Sequence, residues 1–366
     1  MRIATLSVAP LLAACSSPQP TTVGQGPKPA TEPVSMEEQR ERQKARQRDE
    51  EPLAWRTEPP VPERRTEVSA ATDGERIYLA GGFGAPDDDD DGDPDAPRAL
   101  WAYAPEHGAW EEVTELPAGV HHAPFAYYEG QLFILGGFAD TTFNPVGDVH
   151  IYDLAEDRWT EGAPMPTPRG AAGFTVLDGR IHVIGGNAES ERALSDREGV
   201  AITEDRSVNV HEAYDPAEDA WVELEPMPTP RNHLGAAAHA GRIHAILGRE
   251  GGDYTMRTHE IYDAETGRWE PGESVPSGRS GVAVLAHEGY IYGFGGEDLA
   301  EGEERVFAAA ERLDPDTGAW ERLPSMPTAR HGMGAAAFED SIYVVSGGPG
   351  PAFHFGDANE RLLLPP

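Results

Sequence analysis

Short apolar runs recur along most of the chain, and each is bounded by turn residues. One copy reads Met165-Pro166-Thr167-Pro168-Arg169-Gly170-Ala171-Ala172, then Asp178-Gly179-Arg180-Ile181-His182-Val183-Ile184-Gly185-Gly186. An apolar run this short, closed by glycines, predicts a buried β-strand rather than a helix. Asp-Gly and Glu-Gly pairs between such runs predict tight hairpin turns. The run after the arginine is dominated by small residues: Ala171-Ala172-Gly173, Gly235-Ala236-Ala237-Ala238 and Gly334-Ala335-Ala336-Ala337. Strands that converge on an axis have little room between them. Small side chains there predict the innermost strand of a radial sheet.

The runs keep a strict register. Trp55, Trp110, Trp159, Trp221, Trp269 and Trp320 each precede Gly82, Gly137, Gly186, Gly248, Gly296 and Gly347 by 27 residues. Ten residues after each Trp stand Arg65, Val120, Arg169, Arg231, Arg279 and Arg330. Seven residues before five of the Trp stand Tyr103, Tyr152, Tyr214, Tyr262 and Leu313. Each repeat therefore holds four strands: a after the Arg, b ending at the glycines, c near Tyr-Asp, and d carrying the Trp. A repeat of 48 to 62 residues with a constant internal register marks a propeller or an array.

The Gly-Gly, Tyr-Asp and Trp signature resembles the kelch repeat, over residues 52–366. Leu247-Gly248 and Ser346-Gly347-Gly348 depart from the glycine pair. The resemblance implies an all-β fold, a six-bladed kelch-type β-propeller. Trp55 precedes any glycine pair, and the last pair is followed by one strand near Asn359–Leu364 with no Trp. The N-terminal strand should therefore complete the last blade and close the ring, which removes two sheet edges.

With Trp-to-Gly and Tyr-to-Trp spacings fixed, every insertion falls between strands b and c. The b–c and d–a loops leave a blade on the same face, so that face is expected to do the work. The d–a loops place His121, His122, Asn232, His233, Ser280 and His331 there; the b–c loops add Asn187, Arg249 and Glu297. These are the candidate binding residues, expected around the mouth of the central channel. Kelch propellers that bind ligands or peptides use these loop positions. The recurring Arg column is expected to be structural, bridging backbone carbonyls between blades. His182 and His244 stand where other repeats have Tyr or Phe, which predicts packing roles.

Charge and composition narrow the function. The chain has 366 residues and a formal net charge of −35, which disfavours nucleic acid as a partner. Residues 1–15 read as a secretory signal ending in Leu12-Ala13-Ala14-Cys15, which resembles the bacterial lipobox. The resemblance implies acylation of Cys15 and a bacterial cell-envelope location, the outer membrane favoured by Ser16. Residues 16–51 are expected to be a flexible, charged linker before the propeller of 52–366. Cys15 is the single cysteine, which excludes an internal disulfide and the Tyr–Cys thioether of a copper-radical oxidase. In the first b–c loop, Asp87, Asp89, Asp91 and Asp93 resemble the start of a calcium loop, and weak calcium binding is the expectation.

Together these features predict a lipid-anchored monomeric propeller that binds a protein or carbohydrate ligand through its loop face, touching membrane through the anchor only. The alternatives are a sugar-processing enzyme similar to kelch-type sialic-acid mutarotases and a purely structural envelope scaffold. An acid/base pair facing the channel would favour the enzyme. An aromatic or apolar patch on the rim would favour binding.

Overall fold

The computed structural model describes residues 53–84, 96–139, 141–189 and 197–365. The signal and linker with Cys15, and the acidic loop with Asp87, Asp89, Asp91 and Asp93, lie outside the described residues.

Six four-stranded antiparallel sheets follow one another. Written in the order a to d, blade 1 is Ser69–Thr72, Ile77–Ala80, Ala99–Ala104 and Ala109–Glu115. Blade 2 is Phe125–Tyr128, Gln131–Phe138, Pro145–Asp153 and Arg158–Gly162. Blade 3 is Gly173–Leu177, Arg180–Ile184, His211–Asp215 and Ala220–Glu223. Blade 4 is Gly235–His239, Arg242–Ile246, His259–Asp263 and Arg268–Pro271. Blade 5 is Ala283–His287, Tyr290–Phe294, Ala310–Asp314 and Ala319–Arg322. Blade 6 is Gly334–Phe338, Ser341–Val345 and Asn359–Leu363, with Ala54–Thr57 as strand d. The closing strand pairs antiparallel, Trp55 opposite Leu362. Each a strand touches the a strands of both neighbouring blades, blade 6 against blade 1 included, so the ring is closed.

Local chemistry explains the elements. Asp178 and Gly179 have φ of 49° and 76°, the type I′ geometry that suits a two-residue hairpin. The a strands approach so closely that a Cβ on Gly235 would lie 2.1 Å from Val284 Cγ2. This is why the small-residue runs sit on the axis. Apolar side chains of neighbouring blades interleave; Tyr78, Leu100 and Ala102 of blade 1, for example, share a buried cluster with Phe125, Leu132 and Ile134 of blade 2.

The Trp column ties five of the six blades to the one before; Trp159 of blade 2 makes no such bond. The indole Nε1 of Trp110, Trp221, Trp269, Trp320 and Trp55 donates to the carbonyl of Pro59, Ala163, Glu225, Glu273 and Pro324, each four residues after the preceding Trp. Half-burying the indole while its one donor is satisfied makes Trp hard to replace.

The Arg column is structural but works inside a blade, which corrects the expectation of bridges between blades. Arg169 Nε donates to Gly185 O at 2.9 Å and Nη2 to Val183 O at 2.9 Å, both on or just after strand b of its own blade. Its Nη1 pairs with Glu212 on strand c at 2.5 Å. Arg231–Glu260, Arg279–Glu311 and Arg330–Glu360 repeat this clasp, all with the Arg fully buried. A buried guanidinium needs acceptors for its fork, and for Arg169 the carbonyls of Thr167, Val183 and Gly185 plus Glu212 supply them; in Arg330 the Nε alone is left without a partner among the described residues. Blade 2 lacks both halves together: Val120 replaces the Arg and His150 replaces the Glu.

Candidate functional site

Two residues after each member of the Arg column the chain turns into the channel. These residues are Glu67, His122, Ala171, His233, Gly281 and Gly332, and all six have positive φ, between 51° and 64°. Their backbones form a closed ring of hydrogen bonds. His122 N donates to Glu67 O (3.1 Å), Ala171 N to His122 O (2.9 Å) and His233 N to Ala171 O (2.8 Å). Gly281 N donates to His233 O and Gly332 N to Gly281 O (both 3.0 Å), and Val68 N to Gly332 O closes the circle at 3.1 Å. The left-handed backbone suits glycine, so a Glu or His here carries a strain of about 1 kcal/mol or more.

This ring and the a strands line a channel of about 470 Å³. The residues one position earlier, Thr66, His121, Gly170, Asn232, Ser280 and His331, do not line it. They pair with the residues just after the strand b glycines, for instance His121 with Phe138, Asn232 with Arg249, Ser280 with Glu297 and His331 with Gly348. The d–a and b–c segments thus meet on one face.

A chain of polar contacts runs around the mouth. His122 Nε2 lies 3.1 Å from Glu67 Oε2, and His331 Nε2 lies 3.2 Å from Glu67 Oε1. Glu297 takes His331 Nε2 at 3.5 Å on one oxygen and Arg249 Nη1 at 2.8 Å on the other. Arg249 Nη2 reaches His233 Nε2 at 3.0 Å. His233 Nδ1 in turn donates to Asn232 Oδ1, whose Nδ2 donates to Ser207 Oγ at 2.6 Å. The imidazoles of His122 and His233 meet edge to face, 4.9 Å between centroids.

The partners fix the charges. His331 presents Nδ1 to Gly348 O at 3.3 Å and Nε2 to carboxylates, so both nitrogens donate. Burial alone would lower its pKa; the hydrogen bond to Glu67 and the charge of Glu67 and Glu297 outweigh it and raise it. His122 and His233 are pushed well below the usual value, first by burial. For His122 the neighbouring His121 and His233 add to this, and for His233 the cation Arg249 does. Both are neutral near pH 7.

Beside the polar ring lies an aromatic group. Phe83 stacks on His121, 3.8 Å between centroids, and touches Phe143 and Phe353 at 6.0 and 5.3 Å. Phe353 is 49% exposed, the one exposed large apolar side chain among the described residues. A second cavity of about 270 Å³ is lined by Phe143 of this group, with Phe138, Asn187, Asp205, Arg206, Asn232, His233, Arg249 and Tyr254 among others.

The residues picked from sequence therefore separate. His122 and His233 face the channel. Asn187, Asn232, His233 and Arg249 line the second cavity. His121, Ser280, Glu297 and His331 are buried behind them. Glu67 was missed, although it stands two residues after Arg65 in the same register as His122 and His233. Asp205 and Phe353 lie in irregular insertions that carry no register. His182 and His244 pack as expected, each against a second imidazole at 2.9 Å, His211 and His259.

The kelch motif matches residues 120–166 and 278–327. The chain is similar to Kelch-like protein terF of Aspergillus terreus, 28% identical over 78% of this chain and 61% of that protein. It is similar to Beta-scruin of Limulus polyphemus, 29% identical over 41% of this chain and 16% of that protein. Kelch-like protein 35 of Mus musculus is 26% identical over 42% of this chain and 23% of its own length. The matches span less than two thirds of these relatives. With the matched motif, the unbroken Trp–Gly register and the closed ring of six four-stranded blades, the chain folds as a six-bladed β-propeller carrying kelch repeats.

Proposed function

We propose that this propeller binds a protein or carbohydrate partner through its b–c/d–a loop face, held at a bacterial cell envelope by acylated Cys15. The observation that carries the binding reading is Phe353, exposed and resting on Phe83, whose other neighbour Phe143 lines a cavity edged by Arg249 and Asn187. An exposed aromatic next to a concave polar site is a common form of binding hot spot. The anchor rests on Leu12-Ala13-Ala14-Cys15 alone. Mass spectrometry of the native protein should find an acylated N-terminal Cys15; an unmodified Met1 would contradict the anchor.

The binding reading is tested with Phe353→Ala, Arg249→Ala and Glu288→Ala, the last at an a–b turn on the opposite face. An envelope protein or glycan retained by wild type and Glu288→Ala but lost with Phe353→Ala and Arg249→Ala supports it. Loss with Glu288→Ala alone moves the site to the other face. One observation favours the enzyme as a second reading: Glu67 stands between two imidazoles at the channel mouth, an acid/base set beside a cavity. Turnover of a sugar in a metabolite screen, lost in Glu67→Gln, would establish it.

A further inference from the structure

Three of the six ring positions converge on one point. Glu67, His122 and His233 each offer a ligand atom, and these atoms lie within 4.8 Å of one another. They come from blades 1, 2 and 4 at equivalent positions of the repeat, on backbone tied into the hydrogen-bonded ring. A closed ring is a rigid mount, as a preorganised site requires. Blade 3 puts Ala171 between them, which lets the two imidazoles meet across it.

Each imidazole is oriented from behind. Asn232 Oδ1 accepts from His233 Nδ1, which leaves the lone pair on Nε2. His121 Nδ1 lies 2.6 Å from His122 Nδ1. Without metal, His122 Nε2 donates to Glu67 Oε2 at 3.1 Å and Nδ1 accepts from His121; an incoming ion takes the place of the Nε2 proton, and the proton shared with His121 then sits on His122 Nδ1. A hydrogen bond from the far ring nitrogen is the usual support of a metal-binding histidine.

We propose that Glu67, His122 and His233 form a binding site for a divalent first-row transition metal ion of the zinc class, open to the channel. Two imidazoles and one carboxylate suit Zn²⁺ or Co²⁺; Ca²⁺ and Mg²⁺ take all-oxygen sites. A second convergence, Glu67, Glu297 and His331, does not suit such an ion. Both nitrogens of His331 face oxygen acceptors, so neither has a lone pair to give. Arg249 Nη2 holds His233 Nε2 at 3.0 Å, and an incoming ion must displace that bond. Arg249 keeps Glu297 at 2.8 Å through its other nitrogen, so the displacement leaves it paired. Three protein ligands leave a fourth position directed at the channel. The site does not depend on any partner at the rim.

The test is a titration of the full chain with Zn²⁺ by calorimetry and with Co²⁺ by visible absorption. One-to-one binding is expected, with the intense d–d bands of a four-coordinate Co²⁺ site. His122→Gly and His233→Gly should each weaken binding at least about tenfold, and Asn232→Ala by about tenfold. Glycine is what blades 5 and 6 carry at this position, so these variants keep the backbone; unchanged or raised melting temperatures without metal confirm that they fold. Absence of saturable one-to-one binding, or glycine variants that bind as wild type, would overturn the assignment.

Discussion

Two columns of residues, two positions apart in the same loop, behave in opposite ways. The first is the Arg column, nearly invariant, with each Arg fully buried on carbonyls of strand b. The second is the ring at the channel mouth, where the same left-handed backbone carries Glu, His, Ala, His, Gly and Gly. The first column repeats because every blade faces the same problem, joining strands b and c beneath a loop. The second varies because only its backbone is needed by the fold. In a repeat protein, recurrence points to architecture, and a departure that goes against backbone preference points to function.

The largest effect should come from breaking the first column. Arg231→Val leaves Glu260 buried without its cation and should cost about 3–5 kcal/mol in chemical denaturation. Adding Glu260→His recreates the natural pair of blade 2, Val120 with His150. The double variant should recover a large part of that loss. A double variant no better than the single one would break the account of the clasp.

The buried imidazoles of blades 3 and 4 give the next effect. Burial lowers His182 to about 4 and His244 to about 3, from 6.5. The unfolded chain therefore binds more protons below pH 6.5, and stability must fall as pH drops from there toward 4. Each such His contributes up to about 1.4 kcal/mol per pH unit. His244→Phe, with the residue type of Phe133 in blade 2, should flatten the decline seen in thermal melts. A slope unchanged by the substitution would remove these pairs from the cause.

Trp269→Phe deletes the bond to Glu225 O and should cost about 1 kcal/mol beyond the lost packing. Trp159 has no such partner, so Trp159→Phe should cost less by that margin in the same assay. The smallest effect lies in the second column. Ala171→Gly, at φ 54°, should stabilise by up to about 1 kcal/mol. A loss there would mean that the ring backbone is not under strain.

The sequence made the blades legible because Trp, Gly and Arg mark them at constant spacing. Ring closure was legible from Trp55 and the lone strand at Asn359–Leu363, two complementary half-repeats. The mouth was half legible. His122 and His233 stood out because they break the column, but their neighbours His121 and His331 broke it equally and turn inward. Pairing of His121 with Phe138 and His331 with Gly348 buries them, and such pairing leaves no trace in residue type. The Arg clasp hid its partner for a simpler reason. Glu212, Glu260, Glu311 and Glu360 recur nine residues before a Trp or at its equivalent, yet in so acidic a chain a recurrent Glu looks ordinary.

The central claim is that the variable ring and its rim, not the uniform turns, form the site. It is tested by a thermal-shift screen of metals, metabolites and glycans. Wild type is run in parallel with the His122→Gly/His233→Gly double variant and with Glu288→Ala. Ligands that raise the melting temperature of wild type and Glu288→Ala, and fail to raise that of the double variant, are the predicted result. A ligand that stabilises the double variant as strongly as wild type, or is lost only with Glu288→Ala, would contradict it.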